Sequence, residues 1–379
     1  MKLISRLLIA IGIVFALSSC GGRSSYRIEG KLTNLKDTTV YAVFENGEVK
    51  VVDTVACKKA GQFFIKQKTG DFKTATVYFE QRSRWITIYL PKKGKYTAVG
   101  DAKYPELIQI KGGHINDVLS EFNKDVSSLL KEQTNLSGFL NKGNNINQNS
   151  AIEETDAASR LANVRHQLEE HAAAFIKKHP AEEASVVLIN KYFVNPDDTR
   201  RLDELVAILN PKVKDFYLVR DLENYSTRIK RTVLGAEAPD FAVKNIYGKP
   251  LSIDSFAGKY LLLTFTAPWC DMCQTENLYL DEVANKYPKD KLSLLLVSLD
   301  DNPTAVREVL AKDKIKWNLV TDSAGQAVQL LDLYNVSALP RTYLIDGKGT
   351  IILKADNGIE IRQTLDELFN KNTEKEMKK

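Results

Sequence analysis

The stretch that most constrains this chain is a short apolar run followed by two closely spaced cysteines. Tyr260-Leu261-Leu262-Leu263-Thr264 reads as a buried strand, and Phe265-Thr266-Ala267-Pro268-Trp269-Cys270-Asp271-Met272-Cys273 follows it. From Gln274 to Tyr287 the spacing is helical. Two cysteines therefore stand where a strand becomes a helix. Free N–H groups and the helix dipole stabilise negative charge at that point. A cysteine placed there has a lowered pKa, and a second one a turn further on can attack the mixed disulfide that the first forms. The same Cys-x-x-Cys spacing also serves as half of a zinc site, which needs two more ligands. The remaining cysteines are Cys20 and Cys57, and His114, His166, His171 and His179 lie far away without ligand spacing. Ligand count thus favours dithiol chemistry, with neither a metal nor a cofactor implied.

Trp-Cys-x-x-Cys after an apolar strand resembles the thioredoxin superfamily. The longer string Trp269-Cys270-Asp271-Met272-Cys273-Gln274-Thr275-Glu276 is similar to its membrane-tethered, extracytoplasmic TlpA/ResA-like branch. Three other segments agree. Ala238-Pro239-Asp240-Phe241 matches the start of such domains and of peroxiredoxins, Leu339-Pro340-Arg341-Thr342-Tyr343-Leu344-Ile345-Asp346 matches the cis-proline segment, and Gly347-Lys348-Gly349 reads as the hairpin turn before the last strand. The resemblance covers residues 233–373. It implies that Cys270 is the nucleophile and Cys273 the more buried resolving thiol. It implies further that Pro340 is cis and faces them, and that Trp269 and the backbone of Leu339 meet an extended substrate segment.

Two departures stand out. Six residues before the first cysteine, where thioredoxin has a buried Asp, this chain has Thr264. Glu276 occupies the position of an acidic residue in the ResA-like branch. It is a candidate for moving the proton of Cys273, or equally an acid in a first helical turn, where acids are favoured anyway. Asp271-Met272 replaces Gly-Pro between the cysteines, and a carboxylate beside Cys270 disfavours its thiolate. That argues against a strongly oxidising protein of the DsbA kind. A peroxidatic Pro-x-x-x-Thr-x-x-Cys pattern is not met, because Leu263 and Ala267 occupy the proline and threonine places.

The N-terminus carries a different signal. Lys2 and Arg6 precede an apolar core from Leu7 to Leu17 that is short for a membrane span, and Leu17-Ser18-Ser19-Cys20 follows. This resembles the bacterial lipobox, with Cys20 acylated as the mature N-terminus. A plain secretory signal is the alternative. Removing Lys2 and Arg6 from 53 basic residues leaves 51 against 48 acidic ones, about +3, which points to no nucleic-acid partner. Cys57 lies in a strand-like run, as a small buried apolar side chain or as an accessory thiol.

Between the ends, the pattern is β from Tyr26 to about Ile110, and Asn46-Gly47 supplies a hairpin signal. This predicts a small antiparallel sandwich or barrel of about seven strands. The order Ile28-Glu29-Gly30, Asp53-Thr54-Val55, Gly61-Gln62-Phe63 resembles a β-domain of unknown function that precedes thioredoxin domains in bacterial lipoproteins. Residues 114–232 look helical. Val118, Phe122, Val126, Leu129 and Leu130 share one face, Asn141 to Asn149 forms a polar insertion, and a long helix runs from Ala151 to Lys178. The histidines there sit on charged stretches as solvated or locally paired groups. The C-terminal elements alternate strand and helix, including a helix over 304–313, which predicts an α/β thioredoxin-like domain with a mixed sheet and helices on both faces. The domains expected are a signal peptide at 1–19, a tether at 20–25, a β-sandwich at 26–112, a helical region at 113–232, a thioredoxin-like domain at 233–373 and a charged tail at 374–379.

The function expected is a thiol-disulfide oxidoreductase, lipid-anchored in the periplasm of a Gram-negative envelope and acting as a reductase. Its partners would be disulfide-bearing proteins, a membrane or periplasmic electron donor, and the membrane through the anchor. A cell-envelope adaptor and a thiol peroxidase are the alternatives.

Overall fold

The computed structural model describes residues 25–377, apart from 48, 58, 142–147 and 301–317. The signal segment, Cys20 and the expected helix over 304–313 thus lie outside the described residues, as does most of the polar insertion. The chain divides into two compact units, one ending at Ser185 and the other beginning at Val186.

The first unit opens with eight strands: β1 (Tyr26–Thr33), β2 (Thr39–Glu45), β3 (Lys50–Ala56), β4 (Gln62–Gln67), β5 (Thr74–Phe79), β6 (Arg84–Tyr89), β7 (Lys95–Asp101) and β8 (Gln109–Lys111). They form two sheets, in the orders β4-β1-β7-β8 and β3-β2-β5-β6. Alternation decides which side chains turn inward. Val40, Ala42 and Phe44 of β2, Ala75, Val77 and Phe79 of β5, and Ile28 and Ile65 of the other sheet are buried in one shared core. The antiparallel sandwich expected is found with one exception, since β1 and β7 pair in parallel, Ile28 opposite Tyr96. A parallel pair cannot be closed by a tight turn. The chain therefore runs through the other sheet before β7 returns beside β1. The glycine of the Ile28-Glu29-Gly30 string has a local cause. Gly30 faces Phe63 across the β1–β4 ladder, and a Cβ on it would stand 2.1 Å from the Phe63 ring.

Helices α1 (His114–Asp125), α2 (Ser127–Leu140) and α3 (Gln148–Lys178) follow. The face expected to be continuous is broken at Val126, which leaves helical geometry (φ −99°, ψ 21°), although Phe122, Val126 and Leu130 are all buried. His114 is locally paired, with Nε2 2.8 Å from the Glu182 carboxylate. Helix α4 (Glu183–Tyr192) spans the division between the units.

The second unit comprises α5 (Arg200–Ala207), α6 (Tyr217–Lys230), a small hairpin of β9 (Val243–Lys244) and β10 (Pro250–Leu251), β11 (Tyr260–Thr266), α7 (Asp271–Lys286), β12 (Leu292–Ser298), β13 (Asn318–Thr321), α8 (Gln326–Leu333), β14 (Arg341–Ile345), β15 (Ile351–Ala355) and α9 (Gly358–Met377). The sheet order is β13-β12-β11-β14-β15. β11 pairs in parallel with β12 and antiparallel with β14, and β14 pairs antiparallel with β15. β11 is covered on both faces, which is why it reads as a continuous apolar run. Leu261, Leu263 and Phe265 pack with Ala327 and Leu330 of α8. Leu262 packs on the opposite face with Leu280 and Val283 of α7 and Ile361 and Leu365 of α9.

The helices α5 and α6 group with this unit, whereas the sequence placed a boundary at 232/233. Asn335 Nδ2 donates to the Arg228 carbonyl at 2.5 Å, and Lys354 Nζ lies 2.7 Å from both the Pro196 carbonyl and the Asp197 carboxylate. Among the described residues no helix is long and apolar enough to cross a membrane.

Candidate active site

Strand β11 ends in a short loop that delivers Cys270 to the N-cap of α7 (φ −96°, ψ 102°), outside the helical range. The Cys270 sulfur accepts the Cys273 N–H at 3.2 Å, so one of the helix's free donors is aimed at it. Cys270 and Cys273 form a disulfide, with Cα atoms 5.2 Å apart. The loop is held by the Cys270 N–H on the Ala267 carbonyl at 3.1 Å and by the Gln274 side-chain amide on the Pro268 carbonyl at 3.0 Å. Cys270 is half-buried and Cys273 is only 1% exposed, in the order expected for an attacking and a resolving thiol. Trp269 (69% exposed) and Met272 (67%) stand out beside the disulfide, and Asp271 is exposed.

The cis-proline segment is brought to the same end of the sheet. The Leu339–Pro340 bond is cis, Pro340 is buried and Leu339 half-buried. Phe265 pairs with Arg341 across β11 and β14, so Pro340 lies one step further along, beside the end of β11 from which the cysteine loop departs.

The string Ala238-Pro239-Asp240-Phe241 holds the domain together at a distance from the cysteines. The Asp240 carboxylate accepts the N–H groups of Phe241 (2.8 Å) and Ile253 (3.2 Å). The Tyr334 hydroxyl donates to the Pro239 carbonyl at 2.7 Å, and the Tyr343 hydroxyl donates to the Tyr334 carbonyl at 2.6 Å. Burial pushes the Tyr343 phenol up to about 12 and raises Tyr334 also.

Two acceptors near the pair differ from a simple sequence reading. The Glu276 carboxylate accepts the N–H of Gly358, the first residue of α9. It thus satisfies an otherwise free helix-terminal donor. Gly358 is needed there, because a Cβ would stand 2.4 Å from Tyr279 Cβ and 2.8 Å from Glu276 Oε2. Sequence reasoning had no means of pairing residues so far apart, although a glycine opening a helical stretch was visible. Thr264 is buried, and its Oγ1 lies 3.0 Å from that of Thr342 on β14. Leu263 and Ala267, at the two places where a peroxidatic pattern needs Pro and Thr, are both buried core residues. Cys57 lies partly buried against the sandwich core, and burial, then the Asp37 carboxylate, pushes its thiol up. Such a thiol is a poor nucleophile.

Residues 234–354 match the AhpC/TSA family, and residues 26–119 match a domain of unknown function (DUF4369). Among curated proteins, the chain is similar to the thiol-disulfide oxidoreductase ResA of Bacillus thuringiensis. Identity is 28% over 151 residues, covering 40% of this chain and 85% of the relative. ResA of Bacillus subtilis is 27% identical over 118 residues, covering 31% of this chain and 64% of the relative. Among solved structures, a thiol-disulfide oxidoreductase from Bacteroides fragilis is 30% identical, covering 35% of this chain and 98% of that one, with a TM-score of 0.32. The thioredoxin domain of a thiol-disulfide oxidoreductase from Bacteroides vulgatus is 26% identical, covering 36% and 96%, with a TM-score of 0.33. The curated relatives are named as thiol-disulfide oxidoreductases, and in this chain the sheet order and the disulfide opening α7 supply a frame for such chemistry. This chain is a TlpA/ResA-like thiol-disulfide oxidoreductase of the thioredoxin superfamily, with an additional N-terminal domain.

Proposed function

We propose that the chain is a lipid-anchored, extracytoplasmic reductase of protein disulfides, working through Cys270 and Cys273. The observation that carries this reading is the disulfide at the head of α7, with Cys270 half-buried and Cys273 almost fully buried. In the reduced form Cys270, under the helix N-terminus, attacks a substrate disulfide and forms a mixed disulfide. Cys273 then attacks Cys270 and releases the reduced substrate. Exposed Trp269 and Met272 offer an apolar surface to an extended segment, and the backbone of Leu339, next to Pro340, is placed to pair with it. Substrates are then disulfide-bearing proteins, and a membrane or periplasmic donor restores the dithiol. The lipobox at Cys20 supports an anchor in the envelope of a Gram-negative bacterium, facing the periplasm.

Reduction of insulin disulfides by the chain in the presence of dithiothreitol tests the activity. Turnover above the uncatalysed rate is expected, and none from Cys270→Ser. A folded, fully reduced chain that leaves insulin intact would make an envelope adaptor the better reading.

A further inference from the structure

Before it attacks the mixed disulfide, the second cysteine must lose its proton, and burial in apolar surroundings opposes that. Cys273 is almost fully buried, so the groups beneath it decide how easily its thiolate forms. Cys273, Leu280 and Val283 of α7 and Tyr287, the residue that caps it, form one buried stripe. Leu280 and Val283 pack with Leu262 and Leu344, while Tyr287 and Tyr260 both contact the Phe369 ring. Helix α7 therefore packs on the β11 face that carries Leu262, and Cys273 stands two turns before Leu280, towards the end of the helix that follows the carboxyl end of that strand.

At that end, the side chains alternating with Leu262 are Thr264 and Thr266. Their neighbours on the same face are also hydroxyls. Thr264 is opposite Thr342, Thr266 opposite Ser298, and Ser298 opposite Thr321. All five are buried. The Thr264 and Thr342 hydroxyls are 3.0 Å apart, and the Ser298 hydroxyl has no partner among the described residues. The rest of this face is built largely of leucine, so the hydroxyls form a polar band at the carboxyl end of β11. Of the two nearby acids in sequence, Glu276 is bonded to Gly358 and Asp271 is exposed.

We propose that Thr264 and Thr342 are positioning residues for Cys273. In the dithiol form the Thr264 hydroxyl, which in the disulfide form meets only that of Thr342 among the described residues, donates to the Cys273 sulfur, and the Thr342 hydroxyl donates to Thr264 and fixes its direction. This rests on the redox reading above. In the resolving step the Cys273 thiol gives its proton to water, and its thiolate attacks Cys270 Sγ. The Cys270–substrate S–S bond breaks as the Cys270–Cys273 bond forms. The electron pair leaves on the substrate sulfur, which takes a proton from water. The dithiol is oxidised by two electrons and the substrate disulfide reduced by two. A hydroxyl donor stabilises the thiolate without titrating near neutral pH. The rate of this step should then follow one ionisation, that of Cys273.

The test uses the full chain with Cys20→Ala and Cys57→Ala, so that only the active pair reacts. The reduced protein is mixed rapidly with dithiobis(nitrobenzoate), whose coloured thiolate is released once when Cys270 attacks and again when Cys273 resolves. The double variant Thr264→Val/Thr342→Val keeps the packing and removes both partners together, a change that is close to neutral for stability. It should slow the second phase by about ten- to a hundredfold, the worth of a hydrogen bond to a charged group, and leave the first phase as it was. Thr264→Ser should restore the second phase, and Thr264→Asp should add a second ionisation to its pH profile. A folded double variant that resolves at the parent rate, or Thr264→Ser as slow as Thr264→Val, overturns the inference alone. Absence of the first phase from the parent chain overturns the redox reading and this inference with it.

Discussion

Cys270 receives the N-terminal donors of α7, yet no Lys, Arg or His lies within four residues of the pair and Asp271 is adjacent. A thiolate with this little support should not favour the reduced state as strongly as in DsbA. The potential is expected nearer about −270 mV than about −120 mV, measured by equilibration against glutathione. A value above about −180 mV would make oxidase or isomerase activity the better reading. Cys273→Ser should hold substrate on Cys270 as a mixed disulfide, visible by mass spectrometry under non-reducing conditions. At Glu276 the expected effect is on stability. Glu276→Ala should cost about 0.5–2 kcal/mol in urea unfolding, because a helix-terminal N–H loses its acceptor, while Glu276→Gln keeps an acceptor and should cost less. Thr264 could be seen in the sequence as a departure from thioredoxin. That it meets Thr342 could not, since their contact is made across two strands 78 residues apart.

At the scale of elements, the sheet of the second unit is tied to its surroundings by phenol hydroxyls. Tyr343 on β14 bonds the end of α8, and Tyr334 bonds the segment before β9. Tyr343 has its phenol raised to about 12, chiefly by burial, against about 10 when unfolded. Between those values the unfolded chain has lost the proton that the folded one keeps. Stability from this group is therefore full below about pH 10 and falls as the pH rises towards 12. Thermal melts across that range should show the loss, and Tyr343→Phe should reduce it, the other raised tyrosines keeping the remainder, while costing about 0.5–1.5 kcal/mol at neutral pH. The strands and helices here were legible because alternation and helical spacing are local. The parallel pairing of β1 with β7 was not, because strand partners are chosen by the shared core and not by the strand's own residues. The break at Val126 was missed for a similar reason, as the buried residues on either side keep one apparent period.

For the whole molecule, the question is where the redox unit begins. The sequence motifs place its start at 233, but Pro196, Asp197 and Arg228 all bond residues of the C-terminal sheet and its connections. A fragment over 186–379 should therefore have a higher urea midpoint than one over 233–379, with disulfide exchange retained in both. Equal midpoints would show that α5 and α6 add nothing. Cys20→Ala should leave the chain unacylated and extractable without detergent, and salt-resistant membrane association would count against the anchor. The sequence alone determined the chemistry and its frame. Two cysteines at a strand-to-helix junction, a proline segment and an alternating order are local patterns, and a local pattern can be read from neighbours in the chain. The contacts of Glu276 and of Thr264 were decided only by the fold. Glu276 is drawn to Gly358, and hydroxyls from β11, β12, β13 and β14 gather at one end of the sheet, because β-sheet register brings together residues that are distant in sequence.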